Sequence, residues 1–191
     1  DYTAVDVAEG RGVIAFTVLR RGEEMGRVEL GIPGRHNVLN ALAAIALADD
    51  LQLDFSCVTR ALSSFAGAKR RFESVYLSPR FHVIDDYGHH PTEITATLQT
   101  ARSLEPNRIV ALFQPHRYSR TELLAAEFGK ALQGADLVFV TGIYAASENP
   151  IDGVSGMTIL EAVEQHGSTK CVYHEDLSTV HHIVGNALKA G

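Results

Sequence analysis

Three short stretches of this chain concentrate ionisable side chains directly after apolar runs. Asp85, Asp86, Tyr87, Gly88, His89, His90 and Pro91 follow FHVI; Gln114, Pro115, His116, Arg117, Tyr118, Ser119 and Arg120 follow RIVALF; Tyr144, Ser147 and Glu148 follow DLVFV. Arg117 and Arg120 stand three residues apart at an expected helix start, so both can lie on one face. Planar guanidinium groups bind carboxylate or phosphate through paired hydrogen bonds, which makes this pair a natural anion receptor. The plain alternative is a pair of solvated helix charges, and the position beside Gln114-Pro115-His116 after an apolar strand favours the receptor.

His89 and His90 precede Pro91, which suits a first helical position, so both imidazoles stand at the positive end of a helix. Adjacent histidines alone do not make a metal site, because the further ligands are not specified, and no metal ligand is assigned. Asp85 and Asp86 read equally as caps or as functional carboxylates. Asn37 and Asn40 are one helical turn apart and can present their amides together, although asparagine in a first turn is also a routine cap. Lys69-Arg70-Arg71 is a compact basic stretch in a chain of net charge −6. Three cations in such a field do not make a nucleic-acid surface.

The elements that must position these groups fall into two patterns. Residues Gly12 to Leu19 and Gly26 to Ile32 read as a β-hairpin; a helix is expected from Asn37 and a second from about Ser56 to Ser64. Beyond Glu73 the pattern becomes regular. FHVID precedes a helix from Pro91, RIVALF a helix from about Arg120, DLVFV a helix from about Gly156, and KCVYH a helix from Leu177 to Leu188. Continuous apolar strands alternating with helices predict an α/β fold with a doubly wound, mostly parallel sheet. In such sheets ligands collect beyond the carboxyl ends of the strands, where all three polar clusters stand.

The 191 residues suffice for one domain plus part of another. Cys57 and Cys171 lack metal or redox spacing and are expected to be buried thiols in a reducing compartment, hence a cytoplasmic protein. No apolar run approaches the roughly 20 residues of a membrane helix, and DYTAVDVAEGRG lacks a signal pattern. A start at Asp1, inside strand-like sequence, suggests a piece of something longer.

GRHNVLNALAA, GAKRRFE, DDYGHHPTEI and FQPHRYSRT, in this order, closely resemble the Mur ligases of peptidoglycan synthesis, across nearly the whole chain. The resemblance implies that residues 1–73 finish a central ATP-binding domain and that 74–191 form a C-terminal Rossmann-like domain. It implies an ATP-dependent amide ligase that joins L-alanine to UDP-N-acetylmuramate through an acyl phosphate. Carried over by motif, His36, Asn37 and Asn40 lie near the adenine, Arg71 near the phosphates, Asp86 near the ribose and Tyr87 beside the nucleotide. His89, Arg117 and Arg120 position L-alanine and are the expected catalytic group. The family's phosphate loop, its Mg2+ ligands and its UDP-binding domain have no counterpart in these residues, so the chain alone is expected to be inactive. A ligase that attaches a preformed tripeptide shares the Asp-Asp-x-x-His-His-Pro pattern, and a non-catalytic nucleotide or amino-acid binding module is the alternative of a different class.

Overall fold

The computed structural model describes residues 1–10 and 12–189. Ala190 and Gly191, at the end of the expected second domain, lie outside the described residues, as does Arg11. The chain divides into two compact units, one of residues 1–87 and 99–105, the other of residues 88–98 and 106–191.

In the first unit β1 (Tyr2–Gly10), β2 (Val13–Arg20) and β3 (Glu23–Leu30) form an antiparallel sheet in that order. The β2–β3 turn is Arg21-Gly22, with φ of 53° and 89°. Positive φ at both turn residues matches the right-handed twist of the strands. β2 is apolar on its inner positions, and Ile14, Phe16 and Val18 are fully buried with Val28 and Leu30. Helix α1 (His36–Asp50) lays Val38, Ala41 and Ile45 on this core, a three- and four-residue spacing that keeps them on one face. Helix α2 (Phe55–Ser64) is capped by Asp54, whose carboxylate accepts the Cys57 N–H at 3.1 Å. The expected burial of Cys57 is corrected: it is exposed, its sulfur 3.0 Å from Arg60 Nη2, because α2 has no fully buried residue.

β4 (Glu73–Leu77) and β5 (His82–Asp85) pair antiparallel as a separate two-stranded sheet. FHVID therefore does not open the parallel series as expected. The turn at Ser78 to Phe81, closed by the Ser78 N–H donating to Phe81 O at 2.8 Å, returns the chain onto ESVYL, and that local closure is satisfied without a crossover.

The second unit carries the parallel sheet. β6 (Val110–Phe113), β7 (Leu137–Val140) and β8 (Lys170–Tyr173) pair in sequential order. All four residues of the central strand β7 are buried, which is why LVFV shows no alternation. The crossovers run through α4 (Tyr118–Leu123), α5 (Ala125–Ala131) and α6 (Gly156–His166). A Cβ on Gly129 would stand 2.4 Å from Ala162 O, so only glycine permits the close approach of α5 and α6. α6 begins in a capping box in which Ser155 and Thr158 exchange bonds with each other's backbone. α3 (Pro91–Ser103), a 3-10 turn (Leu132–Gly134) and α7 (Val180–Lys189) complete the described elements. The expected α/β fold with helices crossing between parallel strands is present, and Arg117 precedes the helix expected from about Arg120.

Candidate functional site

Within the first unit the predicted nucleotide residues form two groups. At the start of α1, Asn37 donates its amide to Pro33 O at 2.7 Å, and Asn40 donates to Asn37 Oδ1 at 3.1 Å. The two amides are thus chained, with Asn40 and His36 exposed. Gly34 has φ 99°, and a Cβ there would meet His36 Cε1 at 2.6 Å and Thr100 Oγ1 at 2.7 Å. The glycine is what allows His36 to fold back over the turn.

Around β5 the second group forms. Asp86 Oδ2 accepts the Phe72 N–H at 2.8 Å, and Asp85 pairs with Arg70 Nε at 3.3 Å. Through these contacts the pair clasps the basic stretch to the end of β5. Tyr87 donates its N–H to Arg70 O at 2.7 Å, and its ring lies 4.9 Å from the Arg70 guanidinium carbon and 5.9 Å from that of Arg71. A half-exposed aromatic face backed by two guanidinium groups is a cationic platform suited to phosphate. Arg70 and Phe72 hold φ of 57° and 49°, backbone strain that the surrounding bonds must maintain.

In the second unit His90 caps α3 with its own ring: the Thr92 N–H donates to His90 Nδ1 at 3.3 Å. Glu93 completes the cap by accepting the His89 N–H at 2.9 Å and the His90 N–H at 3.1 Å. The same carboxylate oxygen lies 3.6 Å from His89 Nδ1. Glu93 was not singled out in the sequence, although a glutamate three residues into a helix is a recognisable capping signal. His90 is therefore occupied structurally, and His89 is tied to Glu93 through both backbone and ring.

The loops after β6 and β7 are tied together by backbone. Arg117 donates its N–H to Tyr144 O at 2.8 Å, and Tyr144 donates to Pro115 O at 2.8 Å. This bridge lines up three rings: His89 and His116 with centroids 5.9 Å apart, and His116 and Tyr144 5.3 Å apart. Burial holds His116 below the ordinary histidine value, and Coulombic interaction with Arg120, His89 and Arg117 pushes the same way, against Glu148. His116 Nδ1 and Arg120 Nη1 are both buried without a hydrogen-bond partner among the described residues. Arg117 has φ 74° and pairs through Nη1 with Glu148 Oε1 at 3.6 Å.

His89, Arg117, Arg120 and Tyr144 thus gather at the edge formed by the loops after β6 and β7, although β5, which leads to His89, lies in a separate sheet, and Ser147 is exposed on a backbone of φ 70°. Chemically this edge offers a buried, unmatched guanidinium nitrogen, an uncharged imidazole and a second arginine. Groups of these types can bind a small anion. Among the described residues no three His, Cys, Asp or Glu side chains converge as a metal site. No described helix is long and apolar enough to cross a membrane.

Comparison with known proteins follows the same lines. A UDP-N-acetylmuramate–L-alanine ligase of Desulforamulus reducens is 47% identical over 173 residues, covering 91% of this chain and 37% of that protein. Its counterpart in Syntrophotalea carbinolica is 42% identical over 100% of this chain and 42% of its own length. The crystal structure of a UDP-N-acetylmuramate-alanine ligase from Thermotoga maritima superposes with a TM-score of 0.80 at 37% identity, over 95% of this chain and 39% of that one. A murein peptide ligase from Psychrobacter arcticus superposes at 0.66 with 26% identity, over 96% and 38%. The chain spans about two-fifths of the length of the curated relatives it matches. Residues 70–190 match the model described as Mur ligase, glutamate ligase domain, and with that match over most of its length the chain belongs to the Mur ligase family.

Proposed function

We propose that this chain is the C-terminal portion of an ATP-dependent, cytoplasmic ligase that joins L-alanine to UDP-N-acetylmuramate in peptidoglycan synthesis. Residues 1–73 close the central ATP-binding domain and 74–191 form the amino-acid-binding domain. The observation that carries the reading is the buried Arg120 Nη1 without an acceptor. An unpaired buried donor is costly, and a ligand carboxylate removes that cost on binding. The relatives at 42% and 47% identity bear the alanine-adding name, whereas the murein peptide ligase stands at 26%.

In this mechanism the sugar's lactyl carboxylate attacks the γ-phosphate of ATP, and ADP leaves an acyl phosphate. The amine of L-alanine then attacks the acyl carbon and expels inorganic phosphate. The amine must lose a proton before it can attack, and His89, held by Glu93, is the group in reach of that role. Arg117 and Arg120 grip the alanine carboxylate, which turns the amine towards the acyl carbon. His36, Asn37 and Asn40 meet the adenine, Arg71 the phosphates and Asp86 the ribose, with Tyr87 beside the nucleotide. Mg2+ ligands and the phosphate loop belong to the rest of the ligase, so the chain alone does not turn over.

The test is ATP-dependent phosphate release by the full-length parent with UDP-N-acetylmuramate, comparing L-alanine with L-alanyl-D-glutamyl-diaminopimelate. Release with L-alanine is expected. Release with the tripeptide alone assigns the recycling ligase, and release with neither leaves a binding module.

A further inference from the structure

Glu148 reaches across from the loop after β7 to the segment Arg117–Arg120. Its Oε2 accepts the Ser119 N–H at 3.0 Å, its Oε1 accepts the Ser119 hydroxyl at 2.7 Å, and Oε1 lies 3.6 Å from Arg117 Nη1. Both segments it joins are strained. Arg117 holds φ 74°, and Ala146 and Ser147, immediately before Glu148, hold 48° and 70°. Such conformations in residues other than glycine persist only where neighbouring contacts over-determine them. The hydrogen bonds from Ser119 also hold the Glu148 carboxyl below the usual glutamate range, so it stays charged.

A carboxylate beside a receptor for carboxylates is out of place unless its charge is already used. Here Ser119 and Arg117 use it, whereas Arg120 Nη1 has no partner among the described residues. We propose that Glu148 is a positioning residue that locks the Arg117–Arg120 segment in the shape that receives the amino acid's carboxylate. It acts through Ser119 and Arg117 and does not touch the substrate. This rests on the amino-acid receptor of the proposed function and adds the residue that sets its geometry. A surface glutamate that merely caps the start of α4 would contribute stability alone.

The experiment uses the full-length ligase. Wild type is first measured with L-alanine and other amino acids, by phosphate release and by calorimetric titration of the acceptor, so that the substrate assignment stands or falls separately. Glu148→Ala, Glu148→Gln and Ser119→Ala are then compared using whichever acceptor wild type takes. Glu148→Ala is expected to raise the acceptor KM and Kd about tenfold or more, equivalent to about 1.4 kcal/mol, with the ATP KM unchanged. Glu148→Gln keeps an oxygen for Ser119 but no charge for Arg117 and falls between. An unchanged acceptor KM in Glu148→Ala, or equal rises for acceptor and ATP, overturns the proposal. If Glu148→Ala does not fold, a wild-type acceptor KM in Ser119→Ala overturns it. A wild type that neither binds nor uses any amino acid removes both this proposal and the function it rests on.

Discussion

Replacing Arg120 by methionine separates the cost of the receptor from its use. The methionine keeps most of the aliphatic stem and its packing while deleting the guanidinium whose Nη1 is buried without a partner among the described residues. Without ligand that nitrogen carries a desolvation penalty of about 1–3 kcal/mol, so its removal leaves the free protein as stable as wild type or more stable. With ligand the variant loses a hydrogen bond between charged partners, worth about 1.5–3 kcal/mol. At about 1.4 kcal/mol per factor of ten, the acceptor KM of the full-length ligase rises roughly tenfold to a hundredfold. The assays are thermal unfolding without ligand and steady-state phosphate release with varied L-alanine. An unfolding temperature lowered by more than about 4 °C, together with an unchanged KM, would refute the reasoning, because Arg120 would then be a structural residue with its bonds satisfied.

Further tests address the packing and the rest of the site. Gly129→Ala places a methyl 2.4 Å from Ala162 O and is expected to cost about 1–3 kcal/mol by forcing α5 from α6, seen as a lower denaturant midpoint. Gly34→Ala, at φ 99° against His36 and Thr100, should lower stability and raise the KM for ATP with little change for the amino acid. His116 is depressed in the folded state, so the unfolded chain takes up a proton first as pH falls. Its contribution to stability is complete above the ordinary value of 6.5 and declines as pH drops below it towards the folded value. His116→Phe should therefore show a shallower loss of stability between pH 7.5 and 5.5 than wild type, and parallel curves would contradict the assignment.

Much of this protein was legible along the chain. LVFV is apolar at every position because a central parallel strand is covered on both faces, and Pro91 opens its helix because its fixed φ and missing N–H suit the first turn. The clusters after FHVI, RIVALF and DLVFV were visible as ionisable residues following strands. These are local properties, set by each residue's own geometry and its near neighbours, and the motif resemblance drew on the same short stretches.

Only tertiary structure decided the rest. FHVID has the composition of a parallel strand, yet β4 took it as an antiparallel partner, since strand pairing depends on which neighbour the turn presents. Cys57 reads as a buried thiol and is exposed, because the burial of a helix face depends on what packs against it. That Arg117 is paired while Arg120 Nη1 has no partner among the described residues is invisible three residues apart in sequence. It arises because Glu148, 29 positions beyond Ser119, folds back onto one arginine's segment and leaves the other's buried nitrogen open. Spacing records which groups can share a face; whether a charge is spent or available is a matter of contacts distant in sequence.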